Sequence, residues 1–253
     1  MTIETIRSDS TPAPQEAPRW QARNSAAFWA ATGRARGHRV IRRRSYLAVA
    51  GDERAGLRIL IQEPGLGPEE VAEITGLVRE AAGPVDAEDP FSATDLDHLG
   101  LRSWRMPVML RLPGAVGEPA ADVARVRDSG DLWAAERAVI TAFGLTRFEP
   151  HRPGELFPLA LLDEPGVDVF VARIDGVVAG ACVSVVHDGY GSHYWVATPS
   201  AFRSRGVGRA VMLGSLGPLA HLPVTLTASQ LGRPLYESLG FTATTPSTWW
   251  ASR

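Results

Sequence analysis

Residues 192–241 carry, in one unbroken order, a β-branched and aromatic run, an arginine-glycine loop, an apolar helix start, a second β-branched run and a short segment closed by glycine. No other feature restricts the fold as much. Ser192-His193-Tyr194-Trp195-Val196-Ala197-Thr198 fits a strand. Arg203-Ser204-Arg205-Gly206-Val207-Gly208-Arg209 follows, and Ala210-Val211-Met212-Leu213 reads as the first turns of a helix. Glycines let a backbone come close to a ligand, and successive N–H groups then converge on one point. A helix N-terminus adds partial positive charge. With Arg203, Arg205 and Arg209 alongside, the segment is a seat for a diphosphate or a similar anion.

Residues 223–228 read as the next strand. Ser229-Gln230 leads into a short helix at 231–239, and Gly240 suits the left-handed position after it. A nucleotide P-loop does not fit, because the chain contains no lysine. A dinucleotide fingerprint does not fit either, since no third glycine follows Gly206 and Gly208 at the required place. A turn-only reading of the loop leaves the order of its neighbours unexplained.

Over roughly residues 120–253 the chain resembles the GCN5-related N-acetyltransferases. Arg203-x-x-Gly206-x-Gly208 fits the family's coenzyme A loop. Leu235-Tyr236-Glu237-Ser238-Leu239-Gly240-Phe241 fits its Leu-Tyr-Glu-x-Leu-Gly-Phe element, and Val196-Ala197-Thr198 looks like its fourth strand. The resemblance implies acetyl-CoA as acyl donor, no metal, and direct transfer to a primary amine of a small molecule or peptide. Arg203, Ser204, Arg205, Gly206, Val207, Gly208 and Arg209 would hold the diphosphate. Val196, Ala197 and Thr198 would pair with the pantetheine arm, with the Val196 N–H facing the thioester carbonyl. Ser229 would bond the pantetheine amides, or simply cap a turn.

The resemblance also makes Tyr236 the general acid that protonates the leaving thiolate, a task suited to a phenol with a pKa near 10. The amine base stays open. Many relatives use a glutamate on the fourth strand, but no carboxylate stands between Ser192 and Thr198. His193 is the nearest titratable group, Glu155 is a second candidate, and an ordered water is a third. Cys182 sits among small apolar residues and reads as packing rather than as a nucleophile. Of the adjacent Trp249 and Trp250, alternation sends one to the core and the other to the acceptor cleft.

The chain has 253 residues, 45% hydrophobic content and a formal net charge of −2. These values describe an ordinary globular protein with no global field for nucleic acid. The single cysteine excludes an internal disulfide and fits a cytoplasmic setting. No apolar run approaches the roughly 20 residues that span a bilayer. A homodimer is compatible with all of this.

A proline- and glycine-rich stretch at 112–119 reads as a linker. Behind it come a strand at 121–127, a helix at 132–143 capped by Ser129 or Asp131, and strands at 167–174 and 177–186 joined by Asp175-Gly176. Ahead of it come a helix at 20–32, strands at 40–50 and 57–62, a helix at 69–82 and a strand at 106–112. Asp97-His98-Leu99-Gly100-Leu101 echoes Glu237-Ser238-Leu239-Gly240-Phe241 at an offset of 140 positions. The same offset sets Glu63-Pro64-Gly65-Leu66-Gly67-Pro68-Glu69-Glu70 against the arginine loop. That counterpart is acidic, and its prolines lack N–H donors.

The expected fold is therefore α/β, with two acetyltransferase-like domains, each a mixed, mostly antiparallel twisted sheet flanked by helices. Residues 1–18 would be a partly disordered lead-in, 19–117 a degenerate domain without the cofactor loop, and 118–253 the acetyl-CoA-binding domain. The competing reading is a coenzyme A-binding sensor or interaction protein without turnover.

Overall fold

A computed structural model describes residues 14–252. Most of the expected lead-in, residues 1–13, lies outside them. Pro14–Glu16 form a 3-10 turn, and helix α1, Ala17–Ala35, begins directly behind it with Ala17 buried. Proline at the second position of α1 has no helical partner to lose there.

The strands are β1 Arg39–Arg42, β2 Tyr46–Ala50, β3 Leu57–Ile61, β4 Val85–Asp89, β5 Arg102–Arg111, β6 Asp122–Arg125, β7 Val167–Ile174, β8 Val177–His187, β9 Tyr190–Ala197, β10 Val224–Thr227 and β11 Thr242–Ala251. The remaining helices are α2 Pro68–Arg79, α3 Ser129–Phe143, α4 Val207–Leu216 and α5 Arg233–Ser238. The run expected as one strand at 40–50 is two, broken at residues 43–45. The cap of α3 is Asp128, whose carboxylate accepts the Asp131 N–H at 3.0 Å, rather than Ser129 or Asp131. Asp175 and Gly176 both have positive φ, 51° and 77°, as a tight hairpin between right-twisted strands requires.

All strands join one sheet in the order β1-β2-β3-β4-β11-β5-β10-β9-β8-β7-β6. Only β3 with β4 and β9 with β10 run parallel; the other neighbours are antiparallel. The middle of this order shows how the two halves join. β5 belongs to the first half of the chain but lies between β11 and β10 of the second. β11 belongs to the second half but lies between β4 and β5 of the first. Each half lends its last strand to the other. The two lent strands are matched in length at ten residues, and the 140-position offset carries one onto the other.

Helices α1 and α3 cover one face. Ala26 and Ala30 of α1 pack on Leu47, Val49 and Leu60, while Phe28 joins Leu132, Val139 and Val183 beneath α3. Helices α2, α4 and α5 cover the other face. Arg111, 7% exposed, orders the expected linker by donating to the carbonyls of Gly114 at 3.0 Å, Ala115 at 2.8 Å and Leu239 at 3.2 Å. No helix among the described residues is long and apolar enough to cross a membrane.

Candidate active site

Parallel pairing between β9 and β10 lasts for two residue pairs only, Gly191 with Val224 and Ser192 with Thr225. Beyond them the strands part. In the same place β9 bulges: Val183 of β8 faces Tyr194 and Ala181 faces Ala197, so one residue of β9 has no counterpart. Trp195 absorbs the irregularity with φ of 53°. The bulge turns Trp195 toward Trp29 of α1 and Phe143 of α3, with ring centroids 5.9 and 5.2 Å away. A cavity of about 800 Å³ occupies the parting of the strands and reaches both faces of the sheet.

At one end stands the arginine loop. Ser204 and Gly206 adopt left-handed backbone, φ 59° and 77°. The first helical bond of α4 runs from the Ala210 N–H to the Gly206 carbonyl. The N–H groups of Val207, Gly208 and Arg209 therefore have no intrahelical acceptor, and Gly206 brings no capping side chain. Arg203 donates to the Thr198 carbonyl at 3.3 Å, Arg209 to Ser238 Oγ at 2.9 Å, and Arg205 lies 5.9 Å over the Phe202 ring.

Of the residues expected to hold a cofactor, Val196, Thr198, Arg203, Gly208 and Ser229 line the cavity. Ala197, Ser204, Arg205, Gly206, Val207 and Arg209 do not line it, and the side chains of Ala197 and Val207 are buried within the cores. Ser229 Oγ also accepts the Gly232 N–H at 3.1 Å, so the capping role expected as its alternative is present. Tyr236 lines the cavity from α5, packed edge-on against Phe241 at 6.0 Å. Burial holds its phenol above the usual range, so it stays protonated at neutral pH. Gly232 makes room for the ring, since a Cβ there would lie 2.9 Å from Tyr236 Cε2.

His193 departs from its expected role as amine base. It lines the cavity, but it is 3% exposed and bonds Ser215 Oγ of α4 through Nε2 at 2.9 Å. Ser215 donates to the Met212 carbonyl at 3.1 Å, so the shared hydrogen on the His193 bond comes from Nε2. Burial pushes the imidazole pKa down to about 3, far too low to draw a proton from an ammonium at neutral pH. The residue packs α4 onto the sheet. Glu155 is tied to Arg54 at 2.7 Å and to Arg152 at 3.5 Å, outside the cavity lining. Cys182 is fully buried, with its thiol pushed up to about 12 by burial, as a packing residue would be. Trp250 is buried and Trp249 lines the cavity, as alternation required.

Sequence reasoning missed the far wall. Glu88 and Asp86 of β4, Arg58 of β3 and Arg147 of the loop after α3 all line the cavity. Arg147 is placed by a loop that the first half grips, Arg54 donating to the carbonyls of Arg147 at 2.7 Å and Pro150 at 3.2 Å. Within the second half the buried carboxylate of Glu136 organises that loop, accepting the N–H groups of Gly154, Leu156 and Phe157 and bonding His151 Nε2 at 2.9 Å. Among the described residues no group of three or more His, Cys, Asp or Glu side chains is arranged to hold a metal.

A parallel pair that parts, a bulged strand and an uncapped helix start meet at this cavity. Residues 165–243 match the model of the acetyltransferase (GNAT) domain, and that stretch, from the lead into β7 to the start of β11, holds the arginine loop and Tyr236. The chain is thus an acyltransferase with a GNAT domain. It is similar over its length to a GCN5-related N-acetyltransferase from Kribbella flavida, with 20% identity, 92% of this chain and 95% of that one covered, and a TM-score of 0.61. A putative GNAT-family acetyltransferase from Novosphingobium aromaticivorans matches with 15% identity, coverage of 95% and 98%, and a TM-score of 0.61. A GCN5-related N-acetyltransferase from Sphaerobacter thermophilus matches with 17% identity, coverage of 96% and 94%, and a TM-score of 0.51. At such identities the likeness is one of fold, and it extends through both halves. None of the curated proteins matches the chain.

Proposed function

We propose that this protein moves an acetyl group from acetyl-CoA directly to a primary amine. The observation that carries the reading is the cavity itself: one opening runs through the sheet, from free N–H groups at the start of α4, past Tyr236 and the bulge at Trp195, to a polar wall on the α1 side. The residues fit such a donor. The unpartnered N–H groups of Val207, Gly208 and Arg209 suit a diphosphate, and the parted edge of β9 at Val196 to Thr198 suits the amides of a pantetheine arm. In this reading Tyr236 gives its proton to the departing thiolate. The burial of Cys182 speaks for one-step transfer rather than an acylated cysteine, and a lone buried thiol agrees with a cytoplasmic setting.

The first half then acts as a second acetyltransferase-like unit, spanning about residues 19–117, that has lost its anion seat. What supports this is the start of α2. There the Glu70 carboxylate accepts the N–H groups of Gly67 at 3.2 Å and Ser45 at 3.1 Å, filling with its own charge the place an external anion would take.

Calorimetry with coenzyme A tests the anion seat. Gly206→Glu is expected to weaken binding at least ~100-fold, because a carboxylate enters the seat and a residue with a Cβ must hold a left-handed conformation. Binding unchanged in the variant would remove the loop from the site. Tyr236→Phe is expected to slow free-thiol release ~10- to 100-fold while coenzyme A affinity stays the same. A non-catalytic coenzyme A sensor is the second reading, favoured by the lack of a carboxylate on β9. It predicts tight binding with no thiol release across an amine panel.

A further inference from the structure

The fold puts an acid on a different strand from the one the sequence pointed to. Glu88 lies on β4, in the first half of the chain, and its cross-strand neighbour Trp249 comes from the second. It is 2% exposed. The Ser25 hydroxyl of α1 donates to Oε1. Oε2 has no partner among the described residues, and the side chain lines the cavity. Buried carboxylates that only hold structure look different in this same chain. Glu136 takes three backbone N–H groups and a histidine. Asp89, one residue along, takes the N–H groups of Phe91, Ala93 and Thr94, each at 2.8 Å. Glu88 is under-satisfied where those are saturated.

Beside it stands an uneven charge cluster. Arg58 and Arg147 share one carboxylate, Asp86, at 3.9 and 3.6 Å, both beyond hydrogen-bond range. The Arg58 guanidinium carbon lies over Trp29, 4.1 Å from the ring centroid, and its buried Nη1 has no partner among the described residues. Arg147 Nε is likewise buried and unpartnered. When Glu88 is protonated, one guanidinium charge is therefore left over on the cavity wall.

We propose that the first half of the chain supplies the acceptor site, in which Glu88 takes the proton of an α-amino group and Arg58 with Arg147 receives the carboxylate of the same molecule, so that the acceptor is an amino acid. This rests on the acyl-transfer reading above. The charges balance. An incoming zwitterion meets a wall of two guanidiniums and the carboxylates of Asp86 and Glu88. Once the ammonium proton has moved to Glu88, the acceptor is an anion facing the surplus guanidinium. The free amine attacks the thioester carbonyl, a C–N bond forms and the C–S bond breaks. The second nitrogen proton passes to solvent on collapse of the intermediate, while Tyr236 delivers its proton to sulfur and regains one from solvent.

The groups acting on Glu88 are Arg58 from β3, Asp86 from β4, Tyr194 from β9 and Ser25 from α1. Burial dominates among them, raising the carboxyl pKa to about 7, with Arg58 lowering it and Asp86 raising it. A base so poised suits catalysis near neutral pH. Gln21 donates to the Tyr194 hydroxyl at 3.3 Å, linking this network to the residue just before the bulge.

The test uses acetyl-CoA with L-phenylalanine and its decarboxylated counterpart phenethylamine, following free thiol, alongside coenzyme A calorimetry. Phenylalanine is expected to react at least ~10-fold better in kcat/KM, and Arg58→Gln to remove most of that preference. Glu88→Gln is expected to lower kcat/KM at pH 7 by ~100-fold or more and to flatten the acid limb of the pH profile, with coenzyme A affinity intact. In protein labelled with ¹³C at glutamate carboxyls, the resonance missing from Glu88→Gln is expected to titrate near pH 7. Failure to bind coenzyme A overturns the acyl-transfer reading itself. Normal coenzyme A binding with phenethylamine preferred, with neither probe acetylated, with Glu88→Gln fully active, or with that resonance titrating in the ordinary carboxylate range overturns the acceptor site.

Discussion

Trp250→Ala is expected to cost about 4 kcal/mol of stability and to loosen the half of the protein to which Trp250 does not belong in sequence. Its strand, β11, follows the linker, yet its indole is 1% exposed in a core made of Tyr46, Ile59, Ile61, Ile74 and Ala87, all ahead of the linker. The indole N–H donates to Asp97 Oδ1 at 3.1 Å. Truncation removes the largest side chain of that core and leaves a void the surrounding strands cannot close, because β4 is hydrogen-bonded to β11 on one side and to β3 on the other. Urea unfolding measures the cost, and amide exchange locates it. Protection should fall most in β3, β4 and α2 and least in α3, β7 and β8. A loss under 1 kcal/mol, or one confined to the second half, would mean that the exchanged strands do not couple the halves. The same topology predicts one cooperative transition for the whole chain, since cutting at the linker strips a central strand from each side.

The parts of this architecture that were legible are those written in local chemistry. The arginine loop, the Asp175-Gly176 hairpin and Gly240, with φ of 86°, are positions where backbone geometry dictates residue type. The echo around Gly100 and Gly240 pointed to two similar halves, and both glycines are left-handed, φ 71° and 86°. The exchange of β5 and β11 was not legible, because an outgoing strand has the same alternation whichever neighbour it pairs with. The β4 strand was passed over as well. Val85-Asp86-Ala87-Glu88-Asp89 carries three acids in five residues, a composition that does not mark a buried strand. Its burial is imposed by α1 and β11, from opposite ends of the chain. The fate of His193 depended on the bulge at Trp195, and nothing in Ser192 to Thr198 marks where an extra residue will be absorbed.

His193 and Glu88 contribute opposite slopes to the variation of stability with pH, and removing one or the other should tilt the profile in opposite directions. The folded pKa of His193 is depressed to about 3 from 6.5. Below pH 6.5 the unfolded chain therefore binds a proton that the folded one refuses, and stability is lost as pH falls from 6.5 toward 3. The folded pKa of Glu88 is raised to about 7 from 4.5. Its contribution is whole below pH 4.5 and is lost as pH rises from 4.5 to 7, because the unfolded chain releases a proton that the folded one keeps. At about 1.4 kcal/mol per pH unit, each slope changes stability by roughly 3 kcal/mol between pH 4.5 and 7, and the two oppose each other. His193→Gln removes the His193 slope, so relative to the wild type its stability should fall by about 3 kcal/mol more from pH 4.5 to 7, whatever its packing defect at either end. Glu88→Gln removes the Glu88 slope and should gain about 3 kcal/mol relative to the wild type over the same range. Urea midpoints at half-unit steps of pH measure both lines. Parallel profiles for the two variants would show that neither group is buried in the state the geometry describes, and would remove the wall of the cavity on which an acceptor amine would meet its base.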